Sequence, residues 1–147
     1  MRNLIAIAAM VLATPLQADG HLGSGDAEAG EGAFRQCIAC HVVANEDGEV
    51  LAGRKAKTGP NLFMTTNGPA GAVEGFRYSK PMIEAGEAGL VWDEANFVAY
   101  VQDPTGFLRT FLDDSKARGK MSFKVRKEED AVNLFAYIAS LSPAPTN

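Results

Sequence analysis

Apolar residues recur along much of this chain at intervals of three and four, the spacing of one face of an α-helix. The clearest case lies near the end of the chain. In residues 127–142, three acidic residues occupy the first turn, and an apolar stripe follows that stops before Pro143. Helical spacing also occurs over residues 26–40, 81–88, 94–102 and 106–112. No segment shows a convincing strand alternation, so the pattern predicts an all-α domain.

A long stretch between the first two predicted helices shows neither the spacing of a helix nor the alternation of a strand. Turn sequences follow one another there, at Asp47–Gly48, Thr58–Gly59–Pro60–Asn61 and Asn67–Gly68–Pro69. Loops of this length are uncommon in a compact domain unless something else orders them. The sequence therefore predicts a helical domain whose loops are held by a large buried cofactor.

The first 18 residues have the pattern of a secretory signal peptide. Arg2 supplies a positive charge, residues 4–12 form an apolar run, and Ala18 is a small residue at the expected cleavage point. The run is too short for a membrane anchor. The predicted organisation is a signal peptide (1–18), a flexible leader (19–25), one folded domain (26–142) and a C-terminal tail (143–147).

Charge is unevenly distributed along the chain. Loss of Arg2 leaves 13 of the 14 basic residues against 18 acidic ones, a formal charge of −5 that argues against nucleic acid as a partner. Residues 19–50 hold seven acidic residues and only one basic residue. Residues 116–127 hold no acidic residue and six basic ones: Lys116, Arg118, Lys120, Lys124, Arg126 and Lys127. Such a run is most often a solvated surface, and beside a cofactor it could also bind an acidic partner.

The only two cysteines of the chain lie in Cys37–Ile38–Ala39–Cys40–His41, the C-x-x-C-H spacing of a c-type haem attachment site. The thiols add to the two vinyl groups of haem, and the histidine is the proximal iron ligand. Other uses fit less well. A thioredoxin-like pair belongs to an α/β pattern, a zinc site needs a further ligand, and a disulfide closing so short a loop stabilises little. The motif indicates one covalently bound haem.

Elimination narrows the choice of the second axial ligand. The only other histidine, His21, lies in the predicted flexible leader, which argues against ligation by two histidines. Met64 lies in the long loop region, and Met82 falls in a predicted short helix, where a core role is expected. Met121 lies in a polar loop before the last helix, where a thioether has few neighbours unless it contacts a cofactor. Met121 is the predicted ligand.

Several separated motifs occur in a characteristic order. They are Gly30 and Phe34, Cys37–Cys40–His41, Lys57–Thr58–Gly59–Pro60–Asn61–Leu62, Gly75–Phe76–Arg77–Tyr78, Leu90–Val91–Trp92, Gly119–Lys120–Met121 and Leu134–Phe135–Ala136–Tyr137. Over residues 26–142 the chain resembles class I cytochrome c, specifically the larger bacterial type called cytochrome c2 or c550. The resemblance implies the class I cytochrome c fold, with helices and long loops wrapped around one haem c.

The resemblance also implies contacts to the cofactor. The carbonyl of Pro60 would accept a hydrogen bond from His41 and so orient its ring. Tyr78 and Trp92 would bind a haem propionate. Tyr100 would lie beside the Met121 sulfur. Gly30 and Tyr137 would mark the crossing of the first and last helices.

The function implied is that of a monomeric one-electron carrier in the periplasm rather than an enzyme, because ligation by His41 and Met121 leaves no open iron position. The implied partners are membrane redox complexes: a quinol–cytochrome c oxidoreductase, and a terminal oxidase or a photosynthetic reaction centre. The basic residues at 116–127 would steer acidic faces of these complexes into transient contact. Two alternatives are a haem enzyme or gas-binding domain with an open iron position, and a small haem subunit of a larger oxidoreductase.

Overall fold

The computed structural model describes residues 20–143; the predicted signal peptide and most of the predicted tail lie outside this range. Its five α-helices are Ala27–Ala33 (α1), Lys80–Glu87 (α2), Glu94–Gln102 (α3), Pro104–Phe111 (α4) and Glu128–Ser140 (α5). Helix α5 packs against α1 and α3, and α3 also packs against α4. The predicted helical domain is confirmed. Between residues 20 and 143, no helix has the length and apolarity needed to cross a bilayer.

Short polar side chains explain where α3 and α4 begin. Asp93 accepts a hydrogen bond from the Asn96 amide at 2.8 Å and begins α3 at the predicted residue. Asp103 caps α4, which begins at Pro104, two residues before the predicted start. The first helix is shorter than predicted. It ends at Ala33, and a 3₁₀ turn, Phe34–Gln36, carries the chain to the cysteines.

A two-stranded hairpin is the element that periodicity missed. Strand β1, Val42–Ala44, pairs antiparallel with β2, Val50–Gly53, and the register is interrupted between Val43 and Ala44. Strands of three and four residues are too short to display a clear alternation of apolar and polar residues. The region predicted as irregular loop therefore contains regular structure at its start, although the domain is helical as a whole.

Residues 20–25 are packed against the domain and are not the free leader that the sequence predicts. The Ser24 hydroxyl donates to the Glu94 carboxylate at 2.7 Å, and the Asn67 side chain donates to the His21 carbonyl at 2.9 Å. These bonds join the segment to α3 and to the loop before α2. The prediction is wrong for these residues because their glycines, which suggest a linker, also allow close contact with α5.

Helices α1 and α5 cross at Gly30. A Cβ atom added there would lie 2.1 Å from the Asn133 carbonyl oxygen and 2.7 Å from the Tyr137 Cβ. The two helices therefore pack backbone against backbone, in the place that the family resemblance implies. The Phe34 ring lies next to the crossing, with its centroid 5.6 Å from that of Tyr137.

We expect Gly30→Ala to lower the free energy of unfolding by about 2–4 kcal/mol, because the new methyl group forces the helices apart. Gly32 in the same helix has open space where a Cβ would lie. Gly32→Ala should therefore raise stability by about 0.5–1 kcal/mol through helix propensity. Urea denaturation of the holoprotein measures both variants. Equal effects at the two positions would contradict the close crossing.

Candidate functional site

A cavity of about 310 Å³ opens between the turn that carries the cysteines, the loops around α2, helices α3 and α5, and the segment before α5. Its walls are mainly apolar, and Leu134 and Ile138 contribute the side of α5 that faces it. A volume of this size falls within the roughly 300–1,000 Å³ typical of cofactor pockets. The buried cofactor that the long loops predict therefore has a defined place in the fold.

One tight turn presents both cysteines and the histidine to this cavity. The backbone amides of Cys40 and His41 donate to the Cys37 carbonyl at 3.1 and 2.9 Å. All three side chains line the cavity, and both thiols are free and half-buried. Because the 3₁₀ turn and this turn are continuous, two thiols and one imidazole reach the same wall, as covalent attachment at two points requires.

The His41 ring has a fixed orientation. Its Nδ1 lies 2.9 Å from the Pro60 carbonyl oxygen, and because a carbonyl can only accept, Nδ1 carries the hydrogen. Burial lowers the pKa of His41, and the Pro60 hydrogen bond partly opposes this shift. The ring is therefore neutral at physiological pH, and its Nε2 lone pair is available to a metal.

Burial also controls the Cys37 thiol. It raises the pKa of Cys37 to about 12, and the neighbouring Cys40 adds to the increase. Cys37 is therefore a neutral thiol rather than a thiolate before the cofactor is attached. A neutral thiol is a poor spontaneous nucleophile and a poor ligand for a free metal ion.

Gly59 is a site residue whose role the turn motif did not reveal. A Cβ atom added there would lie 2.4 Å from Cε1 and 2.6 Å from Nδ1 of His41. The Gly59 amide donates to the Cys40 carbonyl at 2.7 Å, which holds the loop against the imidazole. The sequence Thr58–Gly59–Pro60 therefore both orients the ring and confines it.

Replacement of Gly59 by alanine should displace the His41 ring, because the added methyl cannot coexist with the present ring position. We expect the Pro60 hydrogen bond to weaken and the holoprotein to lose about 2 kcal/mol or more of stability. Thermal unfolding together with the Soret spectrum measures the change. A variant with unchanged spectrum and stability would show that the loop shifts freely.

The methionines differ in their relation to the cavity. Met64 is 47% exposed and does not line it. Met82 and Met121 both line it, but Met82 is 5% exposed and belongs to the core of α2, as expected. Met121 lies on an irregular segment, where its thioether can turn toward a cofactor. His21 does not line the cavity, although it is packed against the domain.

Three aromatic residues that the resemblance implies, Tyr78, Trp92 and Tyr100, all line the cavity. The Trp92 and Tyr100 ring centroids are 4.8 Å apart. Burial raises the pKa of Tyr100 to about 12, with a further contribution from Tyr78. It also raises the pKa of Tyr78, which a hydrogen bond with the Val73 backbone partly offsets. Both hydroxyls therefore stay protonated and can donate hydrogen bonds.

Comparison with known proteins agrees with this geometry, although no family model matches the chain. The chain is 64% identical to cytochrome c2 of Rhodovulum adriaticum over 118 residues, which cover 80% of this chain and 94% of the relative. It is 47% identical to cytochrome c2 of Cereibacter sphaeroides over 146 residues, which cover 99% of this chain and 97% of the relative. This chain belongs to the cytochrome c2 family.

The X-ray structure of cytochrome c2 from Rhodobacter sphaeroides superposes on this cytochrome c2 with a TM-score of 0.80 at 50% identity. The superposition covers 83% of this chain and all of that chain. The class I cytochrome c fold is therefore confirmed, as is the prediction of an electron carrier rather than an enzyme. The single covalent haem c is also confirmed for the family, with Cys37 and Cys40 in the attachment position.

The residues present fit this cofactor. Two thiols and a neutral imidazole share one wall, a thioether lines the same cavity, and the remaining walls are mainly apolar with hydroxyl donors at Tyr78 and Tyr100. When bound, the haem supplies a one-electron Fe(III)/Fe(II) couple. The fixed His41 ring would orient the cofactor, and the mainly apolar walls would limit its contact with water.

The six basic residues at 116–127 are all exposed, but they are not equivalent. Lys124 forms an ion pair with Asp103 at 2.8 Å, which holds the pKa of Asp103 below its usual range. Lys120 lines the cavity and donates to the Arg77 carbonyl. The remaining four form no ion pair within residues 20–143: Lys116, Arg118, Arg126 and Lys127.

Sequence reasoning missed two further basic residues next to the cavity lining. Arg35 and Lys57 are exposed, and each adjoins a residue that lines the cavity, Gln36 and Thr58 respectively. They are 22 positions apart in the chain, so no run of charge signalled them. Basic residues outside the 116–127 run therefore also adjoin the cavity lining.

Proposed function

We propose that this cytochrome c2 is a periplasmic one-electron carrier, with iron ligated by His41 and Met121, that moves between membrane redox complexes. One observation carries the proposal: the attachment turn and Met121 line the same mainly apolar cavity. The His41 imidazole and the Met121 thioether would hold the iron in both oxidation states, so little rearrangement would accompany electron transfer. The thioether and the apolar surroundings favour Fe(II), and we therefore expect a relatively high potential.

Chain residues support this role without taking part in bond making. Pro60 and Gly59 hold the His41 ring in one orientation, so its Nε2 would bind the haem iron without reorientation of the ring. Tyr78 and Trp92 lie where they can bind a propionate, and a neutral Tyr100 can donate toward the Met121 sulfur. Each contact limits movement of the cofactor and its ligands between the two oxidation states.

Export is supported by the signal pattern of residues 1–18. The alignment with cytochrome c2 of Cereibacter sphaeroides covers 99% of this chain and therefore includes most of this segment. Covalent attachment also suits an exported carrier, because the cofactor cannot be lost by dilution.

Partner contact is proposed to involve the exposed basic residues at 116–127, with Arg35 and Lys57. These residues would bind an acidic surface of a membrane redox complex, such as a quinol–cytochrome c oxidoreductase, a terminal oxidase or a photosynthetic reaction centre. Positive charge beside the cavity would direct its mouth toward that surface, where the distance for electron transfer is shortest. The association would be transient and sensitive to salt.

The double variant Lys116→Glu with Arg126→Glu tests this proposal. At low ionic strength we expect its reduction by quinol-oxidising native membranes to slow by about 10-fold or more, because steering is lost. At high salt the variant and the original protein should react at similar rates, since screening removes the electrostatic contribution from both. Stopped-flow measurement over a salt series separates these regimes. An unchanged rate at low salt would exclude docking through the basic residues at 116–127.

A further inference from the structure

Residues 20–25, which we call the N-terminal strap, are held against two different parts of the domain. The Ser24 hydroxyl donates to the Glu94 carboxylate at 2.7 Å, at the start of α3. Toward the other end of the strap, the His21 carbonyl accepts a hydrogen bond from the Asn67 side chain at 2.9 Å. The Nε2 atom of His21 is buried, so the ring as well as the backbone is packed into the domain. The strap therefore links α3 to the loop before α2.

Gly23 is the point at which the strap fits most closely. Its φ of +75° lies in the left-handed region, where a side chain is strained. A Cβ atom added there would overlap the Glu94 carboxylate and lie 2.6 Å from Cδ1 of Phe135. The seating of the strap therefore requires glycine at this position.

Asn67 joins the strap to Trp92. While its side chain donates to the His21 carbonyl, its backbone amide donates to the Trp92 carbonyl at 2.7 Å. The Trp92 amide donates in turn to the Gly68 carbonyl at 2.9 Å. Asn67 has a φ of 61°, and this left-handed conformation is held by hydrogen bonds from both its side chain and its backbone. The turn at 67–68 is therefore bonded to the strap on one side and to Trp92 on the other.

Of these residues, only Trp92 lines the cavity. Its ring lies beside Tyr100, and Asn67 and the strap contribute nothing to the lining. Because the amide and the carbonyl of Trp92 are both bonded to the turn at 67–68, the position of that turn determines where the indole meets the cavity. The strap supports this wall from behind.

We propose that the N-terminal strap is a positioning element for electron transfer, which acts through Asn67 to hold the Trp92 indole in place at the cavity wall. This inference rests on the proposed contact of Trp92 with a haem propionate. A released strap would let the turn move, so the indole would donate less well and water would reach this wall. Less neutralisation of a carboxylate and greater access of water both favour Fe(III) over Fe(II). The midpoint potential should therefore fall when the strap is disturbed.

The test uses the reduced holoprotein and the indole N–H as the probe. Trp92 is the only tryptophan of the chain, so its indole N–H gives a single assigned signal in the NMR spectrum. Asn67→Gly removes the side-chain amide while glycine adopts the same φ without strain. We expect hydrogen exchange of the indole to become about five-fold faster, the effect of losing one hydrogen bond. At a fixed ambient potential, the ratio of reduced to oxidised protein should fall about two-fold.

Gly23→Ala disturbs the strap without changing Asn67 or Trp92. It should accelerate indole exchange and lower the reduced fraction in the same direction as Asn67→Gly. Because both replacements would act along one path, the double variant should exceed the larger single effect by less than about two-fold. Independent, multiplying effects would contradict that path.

Gly48→Ala is the matched control. Gly48 also has a positive φ, +79°, but it lies in the turn between β1 and β2, and a Cβ atom added there meets nothing within 4 Å. The replacement introduces similar backbone strain away from the strap, so indole exchange should stay within about two-fold of the original. Equal acceleration in Gly48→Ala and Gly23→Ala would reflect general destabilisation and overturn the inference.

Failure of the strap and failure of the proposed propionate contact give different results. If Trp92→Phe leaves the midpoint potential unchanged, the proposed contact is wrong, and the inference falls with it. If Trp92→Phe lowers the potential but the two strap variants leave either the indole rate or the potential at the original value, the contact stands and only the strap inference is wrong. Faster exchange and a lower potential in Asn67→Gly and Gly23→Ala, with Gly48→Ala unchanged, support both.

Discussion

Replacement of Met121 by alanine should abolish the sulfur-to-iron band of the ferric protein and lower its midpoint potential by on the order of 100 mV or more. The thioether stabilises Fe(II), and its loss leaves either water or a stronger donor at that position. The new site should also bind carbon monoxide readily in the ferrous state. Visible spectroscopy and potentiometric titration of the same sample measure these changes.

Two other methionines provide controls. Met82→Ala removes a core side chain that lines the same cavity, so it should cost about 2–5 kcal/mol of stability while the band remains. Met64→Ala changes an exposed side chain outside the cavity and should alter neither property. A band that survives in Met121→Ala and disappears in Met82→Ala would transfer the ligand assignment to α2.

The double replacement Cys37→Ser with Cys40→Ser should eliminate covalently bound haem. Serine keeps the approximate size of each side chain but cannot form the thioether bond to a vinyl group. We expect no haem-stained band on a denaturing gel and no haem mass on the polypeptide. Residues 54–79 contain no helix or strand of their own and depend on the cofactor for their order. We therefore also expect the domain to unfold without haem, so that the far-ultraviolet circular dichroism signal of its helices falls.

Single replacements refine this result. Cys37→Ser and Cys40→Ser each retain one thiol on the cavity wall, so each should yield a smaller amount of protein with one thioether bond. Gly32→Ala, exported and matured in the same host, controls for effects on expression because it touches nothing in the structure. Haem that stays attached through denaturation in the double variant would contradict attachment at this motif.

Local sequence signals predicted much of this fold because their causes are local. Asp93 begins α3 through a hydrogen bond to an amide three residues away, and the attachment motif is a single tight turn. The apolar stripe of α5 predicted both a helix and its buried side, since Leu134 and Ile138 are each 1% exposed. These features need no information from distant parts of the chain.

The features that sequence reasoning missed depend on contacts between distant segments. Residues 20–25 have a linker-like composition, yet Glu94 and Asn67 bind them. Gly59 is an ordinary turn glycine until the fold places the His41 ring against it. Lys120 resembles its basic neighbours, and only the position of the loop before α2 gives it a different contact.

Redox titration of the matured protein, followed by its visible spectrum, tests the central proposal most directly. A carrier ligated by His41 and Met121 should titrate as a single one-electron couple and remain low-spin in both states. It should also show the sulfur-to-iron band only when oxidised and fail to bind carbon monoxide at neutral pH. High-spin ferric iron together with ready binding of carbon monoxide to the ferrous form would contradict the proposal and indicate the alternative with an open iron position.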